Sequence, residues 1–316
     1  METRPLLLFA LCLALPAAAK PVPLVELEAD PIPLTRVHLK RGAVDVRVSL
    51  GFDKALLLNL QPAQALKLKP FPLIGKFKVK NPQIPGGEAI IRGNFISGDV
   101  GSTGMQKLPT IWIDKDVVAP PQQGIVSALA FDADRVRIHN RRAPPGGKTY
   151  RLARAGKSDA EVKTGLGGET IRMIFDFTSE HSVLNARAAA ALEREGLARR
   201  TGQVGLWSPV PAFKVPVEAM KPTPGARLNG LPLQDPVVRI TRARAQELDA
   251  RAASGITGDS EDDPDAIVVT AEKEKSRGRE PWVLIGHDVL RFCSSVELDR
   301  PGMAWALTCA FPGDEG

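Results

Sequence analysis

One arrangement of residues is written twice in this chain, and a repeat of that kind constrains the fold more than any bulk property. From Ile171 the sequence reads IRMIFDFTSEHSVLNARAAAALEREGL: an apolar run, an acid at Asp176, a short polar turn and a helix. Further on comes WVLIGHDVLRFCSSVELD, Trp282 to Asp299. The first half carries a fainter copy of both, KALLLNLQPAQALKLKP from Lys54 and QGIVSALAFDADRVRIHN from Gln123. Aligned by hand, Asn59 falls on Asp176, Pro109 on Pro236, and Gly124 near Gly286. The first two anchors are similarly spaced in both halves. The last interval is much longer in the second half, and its excess lies between Thr241 and Glu280.

Short segments rich in β-formers fill the first half: AVDVRVSL, KALLLNL, AIIRGNFI, LPTIWID and RVRIH, with Gly and Pro between them. That spacing predicts an all-β domain. The stretch RRAPPGGKTYRLARAGKSD from Arg141 is a Pro/Gly-rich boundary, and a second β-rich unit follows it. Residues 20–37 are Pro-punctuated and read as an extended N-terminal arm. The predicted division is 1–19 signal, 20–37 arm, 38–145 first lobe and 146–311 second lobe. The second lobe contains an insertion, 241–280, which opens as a helix, RARAQELDARAA. It continues as a polar, charged stretch that cannot bury enough apolar surface to order itself, so it is expected to be mobile.

Apolar residues make up 43% of the 316, which excludes general disorder. Residues 1–19 have a positive start, the apolar stretch PLLLFALCLAL and small residues Ala17 to Ala19, the plan of a cleavable secretory signal. Export, periplasmic or beyond, is therefore expected, with Lys20 the first mature residue. In such a compartment Cys293 and Cys309 are the remaining cysteines, equidistant from a turn near Pro301. Hairpin symmetry puts them face to face and predicts a cross-strand disulfide.

The repeat resembles the two-lobed aspartic proteases, pepsin-like and retropepsin-like, whose lobes each carry D-T/S-G-A at the end of a strand. Here those triplets read Asn59-Leu60-Gln61 and Asp176-Phe177-Thr178. The resemblance implies an all-β fold of two pepsin-like (retropepsin-like) β-barrel lobes in tandem, with short helices and a cleft between them. It also implies that Asp176 descends from a catalytic aspartate, with Asn59 at the degenerate partner position. Thr178, Ser179, Ser182 and Gly286 would then support the cleft: Ser182-Val183-Leu184 matches the S-x-L of the family, and LIGHDVL matches its closing strand. Two carboxylates that share a proton are what such an enzyme needs. Asn59 cannot hold that proton, and Phe177 has no hydroxyl to tie the loops. A plainer role for Asp176 is capping of nearby backbone amides, for which Asp is favoured anyway.

Other chemistries fit less well. His38, His139, His181 and His287 stand alone, without metal-ligand spacing, and no cofactor or metal is expected. A Ser179, His181, Asp176 triad is too close along one turn to converge, and no G-x-S-x-G elbow occurs. A net charge of +6 spread along the chain, with 5% aromatics, does not make a nucleic-acid surface. One segment stands apart. DPDAIVVTAEK, Asp263 to Lys273, is similar to the TonB box of outer-membrane receptors, in which case Ile267, Val268 and Val269 would add a strand to a TonB-like periplasmic partner. Ordinary β propensity accounts for the same triplet. Three readings stay open: a degenerate protein binding an extended peptide or protein segment in the cleft, an active aspartic endopeptidase, and a TonB-box-bearing adaptor.

Overall fold

A computed structural model describes residues 22–80, 84, 86–156, 159–211, 213–253 and 280–313. The expected signal and the triplet Ile267, Val268 and Val269 lie outside the described residues. Within them the chain is mostly β, and a closed barrel of six strands is present.

Alternation of apolar and polar residues decides which face each strand buries. In Gly42–Ser49 the side chains of Val44, Val46 and Val48 point inward, and Asp45, Arg47 and Ser49 take the other face. Glu169–Phe175 repeats the plan, with Ile171, Met173 and Phe175 inward and Arg172 and Ile174 outward. These strands belong to two seven-stranded sheets. One runs Leu34–Leu39, Gly42–Ser49, Gly124–Ser127, Leu56–Asn59, Met105–Ile113, Glu88–Val100, Lys76–Lys80. The other runs Val162–Leu166, Glu169–Phe175, Trp282–Ile285, Val183–Leu184, Val237–Arg239, Phe213–Pro222, Ala198–Val210. Taken in that order, the successive pairings are antiparallel, parallel, antiparallel, parallel, antiparallel and antiparallel in both sheets. In the first sheet Leu34–Leu39 also pairs with Glu88–Val100, which closes the barrel.

The helices match as well. Leu60–Ala65 and Ala186–Arg194 each follow an asparagine, Asn59 and Asn185. Each ends in the same pair of bonds, Lys67 N–H to Gln64 O with Leu68 N–H to Ala63 O, and Gly196 N–H to Glu193 O with Leu197 N–H to Leu192 O. Glycine supplies the left-handed turn residue in the second helix, and Lys67 adopts it at φ 52° in the first.

A five-stranded sheet joins the halves in the order Val22–Ala29, Ala133–Asn140, Cys293–Asp299, Ala304–Cys309, Lys148–Ala153. The stretch read as an arm thus holds the outer strand of this sheet, Val22–Ala29, and the start of the barrel strand Leu34–Leu39. Cys293 stands opposite Cys309 and is disulfide-bonded to it, as hairpin symmetry predicts. The segment Arg242–Ala253 is helical, as expected for the opening of the insertion. No helix among the described residues is long and apolar enough to cross a membrane.

Candidate functional site

The register of the two sheets fixes which residues correspond. Asn59 N–H donates to Gln123 O, and Asn185 N–H to Trp282 O. Beyond those bonds, Ile125 lies between Arg47 and Leu57, and Leu284 lies between Ile174 and Val183. Arg47 therefore corresponds to Ile174, and two residues on, Ser49 corresponds to Asp176. Side-chain bonding agrees. Asp176 Oδ1 accepts the Thr178 N–H at 2.8 Å, and Ser49 Oγ accepts the Gly51 N–H at 3.3 Å. The triplet matched to Asp176-Phe177-Thr178 is Ser49-Leu50-Gly51, whose central residue Leu50 is buried like Phe177.

This corrects the sequence alignment at two positions. Asn59 matches Asn185, not Asp176. Its side chain is turned to the neighbouring loop, where Oδ1 accepts Val117 N–H at 2.9 Å and Nδ2 donates to Val118 O at 2.9 Å. Gly286 is matched by Ser127, not Gly124. The cause is local: an asparagine before a helix invites the same sequence reading as an acid before a turn and helix. A signal that could have found the right pairing is the recurrence of Leu58-Asn59 and Leu184-Asn185, each ahead of an Ala-bearing helix.

The two loops touch. A β-carbon placed on Gly51 would stand 3.3 Å from the Phe175 carbonyl oxygen and 3.4 Å from Ile174 Cδ1. Asp176 also accepts the Thr178 hydroxyl, at 2.7 Å. The first half places Arg47 nearby, half-buried, on the outward face of its strand. Burial pulls the guanidinium below its ordinary value, and the Asp176 carboxylate works the other way. Arg47 Nε is buried with no hydrogen-bond partner. A cation, then, is the charge that Asp176 meets from the first half.

Behind this contact the second half is tied by polar groups that the sequence singled out. Ser179 Oγ–H donates to His181 O at 2.6 Å, and Ser182 Oγ–H to Asp288 Oδ1 at 2.8 Å. Ser182 Oγ accepts the Gly286 N–H at 3.1 Å. His287 N–H and Asp288 N–H return to Ser179 O and Glu180 O. A β-carbon on Gly286 would fall 2.3 Å from His181 O, so glycine is required by this close approach. Thr178, Ser179, Ser182 and Gly286 thus gather around the loop that holds Asp176.

Sequence reasoning missed three participants: Ser49, Arg47 and Val210. Val210 ends the strand Ala198–Val210 of the second half and packs against the cluster of Val117, Val118 and Ile125 of the first. On the outward face of the second sheet, Ile174 joins Trp207 and Trp282. Arg239 stacks over both rings, at 5.9 and 5.7 Å. Among the described residues no cluster of three His, Cys, Asp or Glu could hold a metal ion.

No family model matches the chain, and no curated protein matches it. Among solved structures, the EIAV protease complexed with the inhibitor HBY-793 is similar at 15% identity, over 31% of this chain and 84% of that one, with a TM-score of 0.22. So loose an overlay carries no weight beside the strand register.

Proposed function

We propose that this chain is an exported protein of two pepsin-like lobes that has lost the acid pair of an aspartic protease and holds an extended peptide or protein segment between its lobes. The observation that carries this reading is Ser49 in register with Asp176. A serine hydroxyl is neither a base nor a shared-proton partner at working pH. The charge that Arg47 sets near Asp176 is a guanidinium, and Ser49, at the partner position, is no carboxylate to act as acid or base. Thr178, in place of the motif glycine, and Phe177, without a hydroxyl, support the same reading.

Removal of one general acid or base costs roughly 10²–10⁴-fold in rate. The chain from Lys20 onward should not cleave reduced, unfolded casein at acidic or neutral pH. Adding that unfolded chain should still slow amide exchange at Ser49 to Gly51 and at Phe175 to Thr178. Pepstatin-sensitive cleavage that disappears in Asp176→Asn would restore the endopeptidase reading. Unchanged exchange at both loops would remove the binding reading.

A further inference from the structure

The first sheet ends in a surface that nothing above explains. From Phe71 to Phe95 five large apolar side chains stand in water: Leu73 at 103% exposure, Ile74 at 76%, Phe95 at 63%, Phe77 at 53% and Phe71 at 48%. They form one region. Phe71 N–H donates to Gly93 O, Gly93 N–H donates to Gly75 O, and Gly75 N–H closes the turn on Phe71 O. Phe77 lies opposite Ile91, and Ile91, Gly93 and Phe95 share one face of their strand. Gly75 is held so tightly that a β-carbon there would stand 2.2 Å from Phe71 N and 2.6 Å from Gly93 O. The turn therefore projects Leu73 and Ile74 from a fixed base.

Two further features set this turn apart. Leu73 has φ 67°, a left-handed conformation that disfavours a branched residue, and its side chain touches nothing that would offset the strain. The chain that runs through the turn also carries charge of one sign. No Asp or Glu occurs from Lys54 to Gly87, whereas Lys67, Lys69, Lys76, Lys78 and Lys80 do, all of them exposed. Two acids of the neighbouring strands approach this group: Glu88 pairs with Lys78, and Asp114 accepts the N–H of Ile90, which lies opposite Lys78.

We propose that this face docks on an anionic lipid surface, with Leu73 and Ile74 inserted at headgroup depth and the lysines set against lipid phosphates. A protruding apolar tip suits a bilayer interface, which needs no complementary shape, whereas a protein partner would have to supply a matching pocket. Lysines around an apolar tip add attraction to anionic lipid that fades beyond a Debye length, about 8 Å at physiological salt.

The test is co-sedimentation of the chain from Lys20 onward, which holds every described residue, with vesicles of phosphatidylcholine alone or mixed with phosphatidylglycerol. Partition should favour the anionic vesicles at least about tenfold and weaken as salt rises. Leu73→Asp with Ile74→Asp should abolish partition while leaving the thermal unfolding curve unchanged, because both side chains are exposed. Lys76→Glu with Lys80→Glu should remove the preference for anionic lipid. Failure to bind either vesicle overturns the proposal. So does equal partition of wild type and the Leu73/Ile74 variant. If vesicles are ignored but the chain self-associates in a way that the Leu73/Ile74 variant loses, the surface belongs to a second copy, and the lipid reading is overturned.

Discussion

Asp288 shows how one buried acid ties the second half together and at what cost. It is 3% exposed, with Ser182 Oγ–H on Oδ1 at 2.8 Å and Asp235 N–H on Oδ2 at 3.2 Å. Burial raises its pKa, and those hydrogen bonds only partly oppose the rise. A carboxyl whose folded value lies above its unfolded value binds its proton more tightly in the folded state. Its contribution to stability is therefore complete below the ordinary carboxylate range and is lost as pH rises through the raised value. Wild type minus Asp288→Asn in unfolding free energy should fall as pH rises from about 4 toward neutrality, with the other ionisations cancelling in the difference. Urea unfolding of both proteins at several pH values measures it, and a difference that stays flat would show that burial does not raise the Asp288 pKa. At this scale the sequence revealed only one side of the site. Asp176 was marked by its acid and by the polar run behind it. Ser49 was not, because Ser-Leu-Gly carries nothing that sets it apart from a common turn. Asn59 took its place, since an asparagine is favoured ahead of a helix whatever the site does.

Among the elements, the glycine of the closing strand has a consequence that can be measured. In Gly286→Ala the new methyl meets backbone, His181 O at 2.3 Å and Ser179 O at 2.8 Å, and neither can rotate away. The loop that holds Asp176 would have to shift, at a cost of about 1–3 kcal/mol. Gly165→Ala is the control: nothing lies within 4 Å of its β-carbon, and its effect should stay within about 0.5 kcal/mol. Equal stability of the two variants in denaturant titrations would show that the close approach at Gly286 is not what holds the loop. The same element was legible in sequence as an apolar strand ending in glycine, and the hairpin after it was legible through its two cysteines. The outer strand Val22–Ala29 was not. Pro23 argued for an extended arm, yet a proline is tolerated in an edge strand, and this strand lies at the edge of its sheet.

At the scale of the molecule, the two halves are interlocked by a sheet that neither can complete. Ala133–Asn140 pairs on one side with Val22–Ala29 of its own half and on the other with Cys293–Asp299. Arg300 reaches back from the second half, its Nη2 donating to Leu129 O at 2.7 Å and Phe131 O at 2.6 Å. One apolar core runs through both halves, from Val37 and Val136 to Phe175, Trp305 and Phe311, and Val210 adds a separate contact with Val117, Val118 and Ile125. Cutting the chain near residue 145 would expose the edge of Ala133–Asn140 with Val136 and Ile138 on it, and would leave the carbonyls of Leu129 and Phe131 without Arg300. An unpaired apolar edge of that kind recruits other strands. Residues 20–145 expressed alone should therefore associate or remain loosely packed, while the chain from Lys20 should unfold in a single calorimetric transition whose van't Hoff and calorimetric enthalpies agree. Two resolved transitions, or a monomeric 20–145 fragment with dispersed amide resonances, would mean that each half is a unit in its own right and that the shared sheet is only a seam between them.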